Sequence, residues 1–168
     1  AAHCALDNLN RPIDKRSMRI IAGASNPYDP NQGQAYEIRN YFINESFNTL
    51  SYEGDLAILE LEEAIDIPFA EPIELISKAD SAVGATDPGV LAWVTGWGLT
   101  STEPAEFPQI LQKVQLPIVS NFTASAVWGF IPETFLMAGF NDGGKDACGG
   151  DSGGPLAVPV GDSYKLAG

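Results

Sequence analysis

The sequence contains Gly149-Gly150-Asp151-Ser152-Gly153-Gly154-Pro155, a heptapeptide in which four glycines surround a single serine. So many glycines cost backbone entropy, and they are useful where the chain needs unusual φ and ψ angles or where another backbone must come close. A serine that attacks a carbonyl group needs N–H donors aimed at the developing oxyanion, and a glycine-rich turn can present them. The heptapeptide therefore indicates a nucleophilic serine; the alternative, on the glycines alone, is an ordinary turn.

The position of the one histidine narrows the class of serine hydrolase. The heptapeptide also fits the Gly-x-Ser-x-Gly turn of α/β-hydrolases, which place their histidine after the serine. Here His3 precedes Ser152 and no histidine follows it, which disfavours an α/β-hydrolase esterase. Asp55 opens the apolar stretch that ends at Leu61, where a carboxylate could orient an imidazole. Taken singly, His3 reads as an ordinary surface or core histidine and Asp55 as a turn residue.

Short apolar stretches separated by turn residues predict a mostly β fold. Regular spacing with Gly and Pro turns favours a sandwich or barrel over a βαβ fold. We expect a short helix at Ser120–Trp128, with Ser120 or Asn121 as its N-cap, and a soft boundary between two β units near residues 77–89. The expected strands are Met18–Ala22, Tyr36–Ile43, Asp55–Leu61, Val90–Thr95, Ile110–Ile118, Phe135–Ala138 and Leu156–Val160.

Four motifs occur in a fixed order along the chain: Ala1-Ala2-His3-Cys4, the stretch from Asp55 to Leu61, Thr95-Gly96-Trp97-Gly98, and the heptapeptide. Together they resemble the chymotrypsin/trypsin family of serine peptidases over essentially the whole chain. The resemblance implies an all-β, two-barrel trypsin-like fold with the active site between the barrels. Residues 1–80 would form part of the N-terminal barrel with the start of a linker, and residues 81–168 part of the C-terminal barrel with the specificity pocket.

The same resemblance assigns catalytic roles. It makes His3 the general base, Asp55 the group that orients it, and Ser152 the nucleophile. The backbone N–H groups of Gly150 and Ser152 would form the oxyanion hole. The expected activity is serine endopeptidase cleavage through an acyl-enzyme intermediate. The alternative is a non-catalytic homologue that acts as a binding or regulatory module, although such proteins usually lack a member of the triad and none is missing here.

The residues before Ser152 bear on substrate specificity. In trypsin-like relatives an aspartate six residues before the nucleophile forms the floor of the primary pocket, and that position is Asp146 here, with Ala147 and Gly149 as further substrate-binding residues. A carboxylate at the bottom of a closed pocket would pair with Arg or Lys; the alternative is an exposed loop acid. Ala147 stands where many relatives have serine, which removes an acceptor for a lysine ammonium and favours Arg over Lys.

Asp151 and the two cysteines bear on maturation. Relatives pair the aspartate at Asp151 with an α-amino group released by cleavage of a proenzyme, so the resemblance implies an activation ion pair and a zymogen. The sequence starts inside the His3 motif and not with Met, and we expect a fragment that lacks strands at both ends and is inactive alone. The resemblance also implies disulfides from Cys4 and Cys148 to cysteines outside it.

Composition limits the partners. The net charge of −13 would repel phosphate backbones, so nucleic acid is excluded as a partner. No apolar run approaches the roughly 20 residues that span a bilayer, and two cysteines are too few for a structural zinc site.

We expect a secreted monomer without a cofactor or bound metal, which acts on protein or peptide substrates and is a target for protein inhibitors. Calcium stays open, because only Asp29 and Glu37 are scattered near residues 23–37. Asn44-Glu45-Ser46 and Asn121-Phe122-Thr123 match the glycosylation sequon.

Overall fold

The computed structural model describes the whole chain, Ala1–Gly168. The chain divides into two compact units, Ala1–Glu71 and Pro72–Gly168. Strands dominate both units and the helices are few and short, which confirms the predicted all-β class. The predicted division between residues 80 and 81 concerns the barrels of the whole protein and stays a prediction.

The first unit is built from two antiparallel strand pairs. Two 3₁₀ turns, His3–Ala5 and Lys15–Ser17, precede the strands. Strand β1 (Ile20–Ala22) pairs with β2 (Gln34–Tyr36), and β3 (Ile38–Ile43) pairs with β4 (Ala57–Leu61). The buried side chains of this unit include Ala2, Ala5, Tyr36 and Ile38, so the residue before His3 and the residue two positions after it are packed into its core.

A six-stranded sheet forms the second unit. Its strands are β5 (Glu74–Leu75), β6 (Leu91–Gly96), β9 (Gln112–Val119), β10 (Met137–Ala138), β11 (Leu156–Val160) and β12 (Ser163–Leu166), in the order β10-β9-β6-β11-β12-β5. Its neighbours are antiparallel except β12 and β5, which are parallel. Strands β7 (Ser101–Thr102) and β8 (Ala105–Glu106) form a separate hairpin. Ala92, Ile118 and Val158 make the buried centre of the unit.

Two short helices belong to the same unit. Helix α1 (Lys78–Ala82) begins with a capping box between Ser77 and Asp80. Helix α2 (Asn121–Trp128) has Ser120 as its N-cap, whose hydroxyl accepts from the Thr123 N–H at 3.0 Å, so the first of the two predicted caps is the one used. No helix combines the length and apolar character that crossing a membrane requires.

Each of the seven predicted strands overlaps an observed one, but two predictions need correction. Asp55 lies before β4 and not in it, because the Leu56 N–H turns back to the Gly54 carbonyl at 2.7 Å and extended pairing starts only at Ala57. The predicted strand Tyr36–Ile43 is interrupted at Glu37, since β2 ends at Tyr36 and β3 starts at Ile38 with a different partner.

Candidate active site

His3 and Asp55 are joined by two hydrogen bonds within the first unit. The His3 backbone N–H donates to Asp55 Oδ1 at 2.8 Å, and His3 Nδ1 lies 2.6 Å from Asp55 Oδ2. An ionised carboxylate only accepts, so the ring proton must reside on Nδ1 and the neutral ring keeps Nε2 as an acceptor. A base that accepts a proton at Nε2 needs this tautomer.

The ionisation of Asp55 is fixed by opposing effects. Burial disfavours the charged form of this half-buried group, but hydrogen bonds from the His3 N–H and the His3 ring outweigh it and hold the pKa of Asp55 below its ordinary value. The carboxylate is therefore charged at neutral pH. A charged carboxylate beside the ring stabilises an imidazolium when His3 takes up a proton.

Two further side chains, those of Tyr52 and Cys4, contact the His3 ring. The Tyr52 ring packs edge-on against it with centroids 5.7 Å apart, and Phe47 packs on Tyr52 at 6.0 Å. Cys4 Sγ lies 3.5 Å from His3 Nε2. Sequence reasoning missed Tyr52, because nothing but its place three residues before Asp55 sets it apart from other tyrosines.

In the second unit, the turn around Ser152 is stabilised through Asp151. The Asp151 carboxylate accepts from the Gly98 N–H at 2.8 Å and from the Cys148 N–H at 2.9 Å. A Cβ placed on Gly96 would lie 2.0 Å from Asp151 Oδ1, and one on Gly98 would lie 2.5 Å from its Cγ. Gly96 and Gly98 of the Thr95-Gly96-Trp97-Gly98 motif thus leave space for the Asp151 carboxylate, which any larger side chain at either position would occupy.

Ser152 itself is exposed on a glycine-rich turn. Gly150, two residues before it, has φ +103°, and a Cβ there would lie 3.1 Å from the Gly98 Cα. Both properties that the sequence suggested for these glycines, unusual φ and close approach of another backbone, therefore occur at Gly150.

A cleft of about 740 Å³ lies within the second unit. Asp146, Ala147 and Asp151 line it, together with segments 98–102, 112–114 and 144–145 among others, whereas Gly149, Gly150 and Ser152 do not. The Asp146 side chain is exposed, and its Oδ1 accepts from the Ala147 N–H at 2.8 Å. The structure thus brings Asp146, Ala147 and Asp151 to one cleft, and the substrate role of Asp146 stays a prediction.

The remaining predicted sites lie apart from these groups. The Asp29 carboxylate accepts from the Asn31 N–H and from the Gln32 amide, and no group of three or more His, Cys, Asp or Glu side chains is arranged to hold a metal ion. The structure contains no disulfide, so the pairing of Cys4 and Cys148 with cysteines elsewhere stays an expectation.

A carboxylate thus holds a histidine in the first unit, and a serine lies on a glycine-rich turn in the second; both features also occur in serine peptidases. The family model described as Trypsin matches residues 1–168. The chain therefore belongs to the trypsin family, the class of chymotrypsin- and trypsin-like serine peptidases.

Curated relatives agree with this assignment. Coagulation factor XII of Bos taurus is 36% identical over 165 residues, which cover 93% of this chain and 26% of that protein. Serine proteinase stubble of Drosophila melanogaster is 40% identical over 134 residues, 75% of this chain and 16% of that protein. Chymotrypsin-C of Mus musculus is 35% identical over 167 residues, 96% of this chain and 58% of that protein. The chain thus spans about a quarter of the length of factor XII and little more than half of chymotrypsin-C.

Proposed function

We propose that the protein is a serine endopeptidase that hydrolyses peptide bonds after Arg, and less readily after Lys, through an acyl-enzyme intermediate. The observation that carries the proposal is the pair of hydrogen bonds between His3 and Asp55 at 2.8 and 2.6 Å. These bonds fix the tautomer that a general base needs, and membership of the trypsin family supports the same reaction.

In the proposed reaction, Ser152 Oγ attacks the substrate carbonyl carbon while His3 Nε2 takes the hydroxyl proton. The N–H groups of Gly150 and Ser152 stabilise the oxyanion. His3 then gives the proton to the leaving amine, the C–N bond breaks, and the acyl group remains as an ester on Ser152. Water attacks this ester with His3 again as base, which releases the carboxylic acid product and restores the serine. Asp55 stays ionised throughout and stabilises the imidazolium.

Specificity is proposed to rest on Asp146, with Ala147 and Gly149 as further substrate-binding residues. A guanidinium can bind a carboxylate with two parallel hydrogen bonds, whereas an ammonium needs further acceptors. Ala147 offers no hydroxyl to an ammonium, so Arg is preferred over Lys.

Asp151 is proposed to form the activation ion pair after cleavage of a proenzyme. Its carboxylate is half-buried and already accepts two backbone N–H groups, a setting in which an added ammonium would be a strong partner. We further propose a secreted monomer whose substrates are proteins or peptides and which protein inhibitors can block.

The test uses the full-length gene product after activation. Four peptides differ only in the residue before the scissile bond, which is Arg, Lys, Phe or Ala, and kcat/KM is measured for each. We expect the order Arg, then Lys, then the other two, and loss of activity by several orders of magnitude in Ser152→Ala. Equal rates for all four peptides would exclude the role of Asp146, and a folded wild-type protein without turnover would point to a binding module.

A further inference from the structure

Asn44 lies directly after β3 and ties together the two sides of the turn that carries Asp55. Its Nδ2 donates to the Gly54 carbonyl at 2.9 Å, and its backbone N–H donates to the Leu56 carbonyl at 2.9 Å. Its Oδ1 accepts from the Ser46 N–H at 3.1 Å. One residue therefore holds both neighbours of Asp55.

The contact between Asn44 and Gly54 leaves no spare room. Gly54 has φ +70°, and a Cβ there would lie 2.7 Å from Asn44 Nδ2 and 3.3 Å from the Ser46 carbonyl oxygen. The Gly54 carbonyl also accepts from the Leu56 N–H at 2.7 Å. Two donors thus fix the plane of the peptide bond between Gly54 and Asp55, which sets the direction in which the Asp55 side chain leaves the backbone.

We propose that Asn44 is a positioning residue of the peptidase, which acts through Gly54 to aim both carboxylate oxygens of Asp55 at His3. The proposal rests on the proposed function for its effect on turnover. Asn44 starts a glycosylation sequon, but the Nδ2 that would carry a glycan is the donor to Gly54.

The experiment compares four variants of the full-length protein. Asn44→Asp keeps the oxygen that accepts from the Ser46 N–H but places a second oxygen against the Gly54 carbonyl. Asn44→Ser keeps a local turn, since serine forms the same kind of turn, but its side chain is too short to reach the Gly54 carbonyl. Ser46→Ala removes the sequon and leaves every Asn44 bond. Asn121→Asp makes the matched change in the second unit, where Nδ2 donates to the Pro132 and Phe135 carbonyls.

Two readouts are used. The first is the proton NMR signal of His3 Nδ1–H, identified by its loss in His3→Ala and shifted downfield by its short bond to a carboxylate. The second is kcat and KM on an Arg peptide. In Asn44→Asp and Asn44→Ser we expect the signal to move upfield or broaden. The value of kcat should fall by roughly 10- to 100-fold, as for small misplacements of catalytic groups, with KM little changed. Ser46→Ala and Asn121→Asp should keep the wild-type signal.

The outcomes separate the two proposals. A folded Asn44→Ser protein with wild-type signal and kcat would overturn the role of Asn44, and this variant decides the matter if Asn44→Asp does not fold. A changed signal in Ser46→Ala would assign the effect to the sequon and also overturn it. Because the signal needs no turnover, a wild-type protein that shows it without cleaving peptides would refute the peptidase function while Asn44 is still tested.

Discussion

At the scale of single residues, both bonds between His3 and Asp55 need an acceptor on position 55. Asparagine offers only one acceptor oxygen. If that oxygen keeps the bond from the His3 N–H, the amide NH₂ faces Nδ1 and drives the ring proton to Nε2, which then cannot act as the proton acceptor of the proposed reaction. We expect Asp55→Asn to lower kcat by about 10⁴-fold with KM little changed, measured by steady-state kinetics on an Arg peptide.

Asp7→Asn is the matched control for this prediction. The Asp7 carboxylate also belongs to the first unit and also accepts backbone N–H groups, those of Leu9 and Arg11, but it has no place in the proposed reaction. This variant should turn over like the wild type. An Asp55→Asn enzyme with near-wild-type kcat would show that His3 keeps its tautomer without the carboxylate.

At the scale of secondary-structure elements, Asp80 connects helix α1 to β12. Its carboxylate accepts from the Ser77 hydroxyl at 2.6 Å, from the Ser77 N–H at 2.8 Å and from Lys165 Nζ at 3.1 Å. The Ser77 hydroxyl, the Ser77 N–H and the Lys165 ammonium, in that order, lower the pKa of Asp80 to about 2. Five residues are too few for a helix that is stable alone, so α1 depends on these contacts.

The lowered pKa predicts how stability changes with pH. A carboxylate with a depressed pKa in the folded state stabilises the protein fully above its unfolded value of 3.8, and this contribution is lost as the pH falls towards about 2. We expect the urea midpoint of Asp80→Asn to lie below that of the wild type at neutral pH and the two to converge at low pH. Asp142→Asn, in an exposed loop of the same unit, should follow the wild type throughout; a gap for Asp80→Asn that did not narrow would contradict the assignment.

The sequence predicted elements with strong local patterns and missed those defined by distant partners. Strand β11 was predicted with its observed bounds, Leu156–Val160, because it is an uninterrupted apolar run between turns. Strand β5 has two residues and exists through parallel pairing with β12, some ninety residues away in the chain. No local pattern marks such a strand, and the same holds for the contact between Asn44 and Gly54 across a loop.

At the scale of the whole chain, each proposed catalytic motif is local and could therefore be found in the sequence. His3 and Asp55 lie in the first unit and Ser152 in the second, and the fixed order of the four motifs around them predicted the family. The cleft beside Asp146 is different, because three segments separated by up to some forty residues line it. The residues that line this cleft, and the contact of Asp151 with Gly98, could be identified only from the structure.

The charge of the whole chain gives a last prediction. Acidic side chains outnumber basic ones in both units and the net charge is −13. Such a surface attracts cationic substrates over long distances, and salt screens the attraction, since the Debye length falls from about 30 Å at 0.01 M to about 8 Å at 0.15 M. For an Arg peptide with basic flanking residues, we expect kcat/KM to fall several-fold over this range of ionic strength, mainly through a rise in KM.

The matched control peptide keeps the Arg but has acidic flanking residues, and its kcat/KM should rise or stay level because screening then removes a repulsion. A common salt dependence for both peptides would show that the surface charge does not act on the substrate and serves solubility instead.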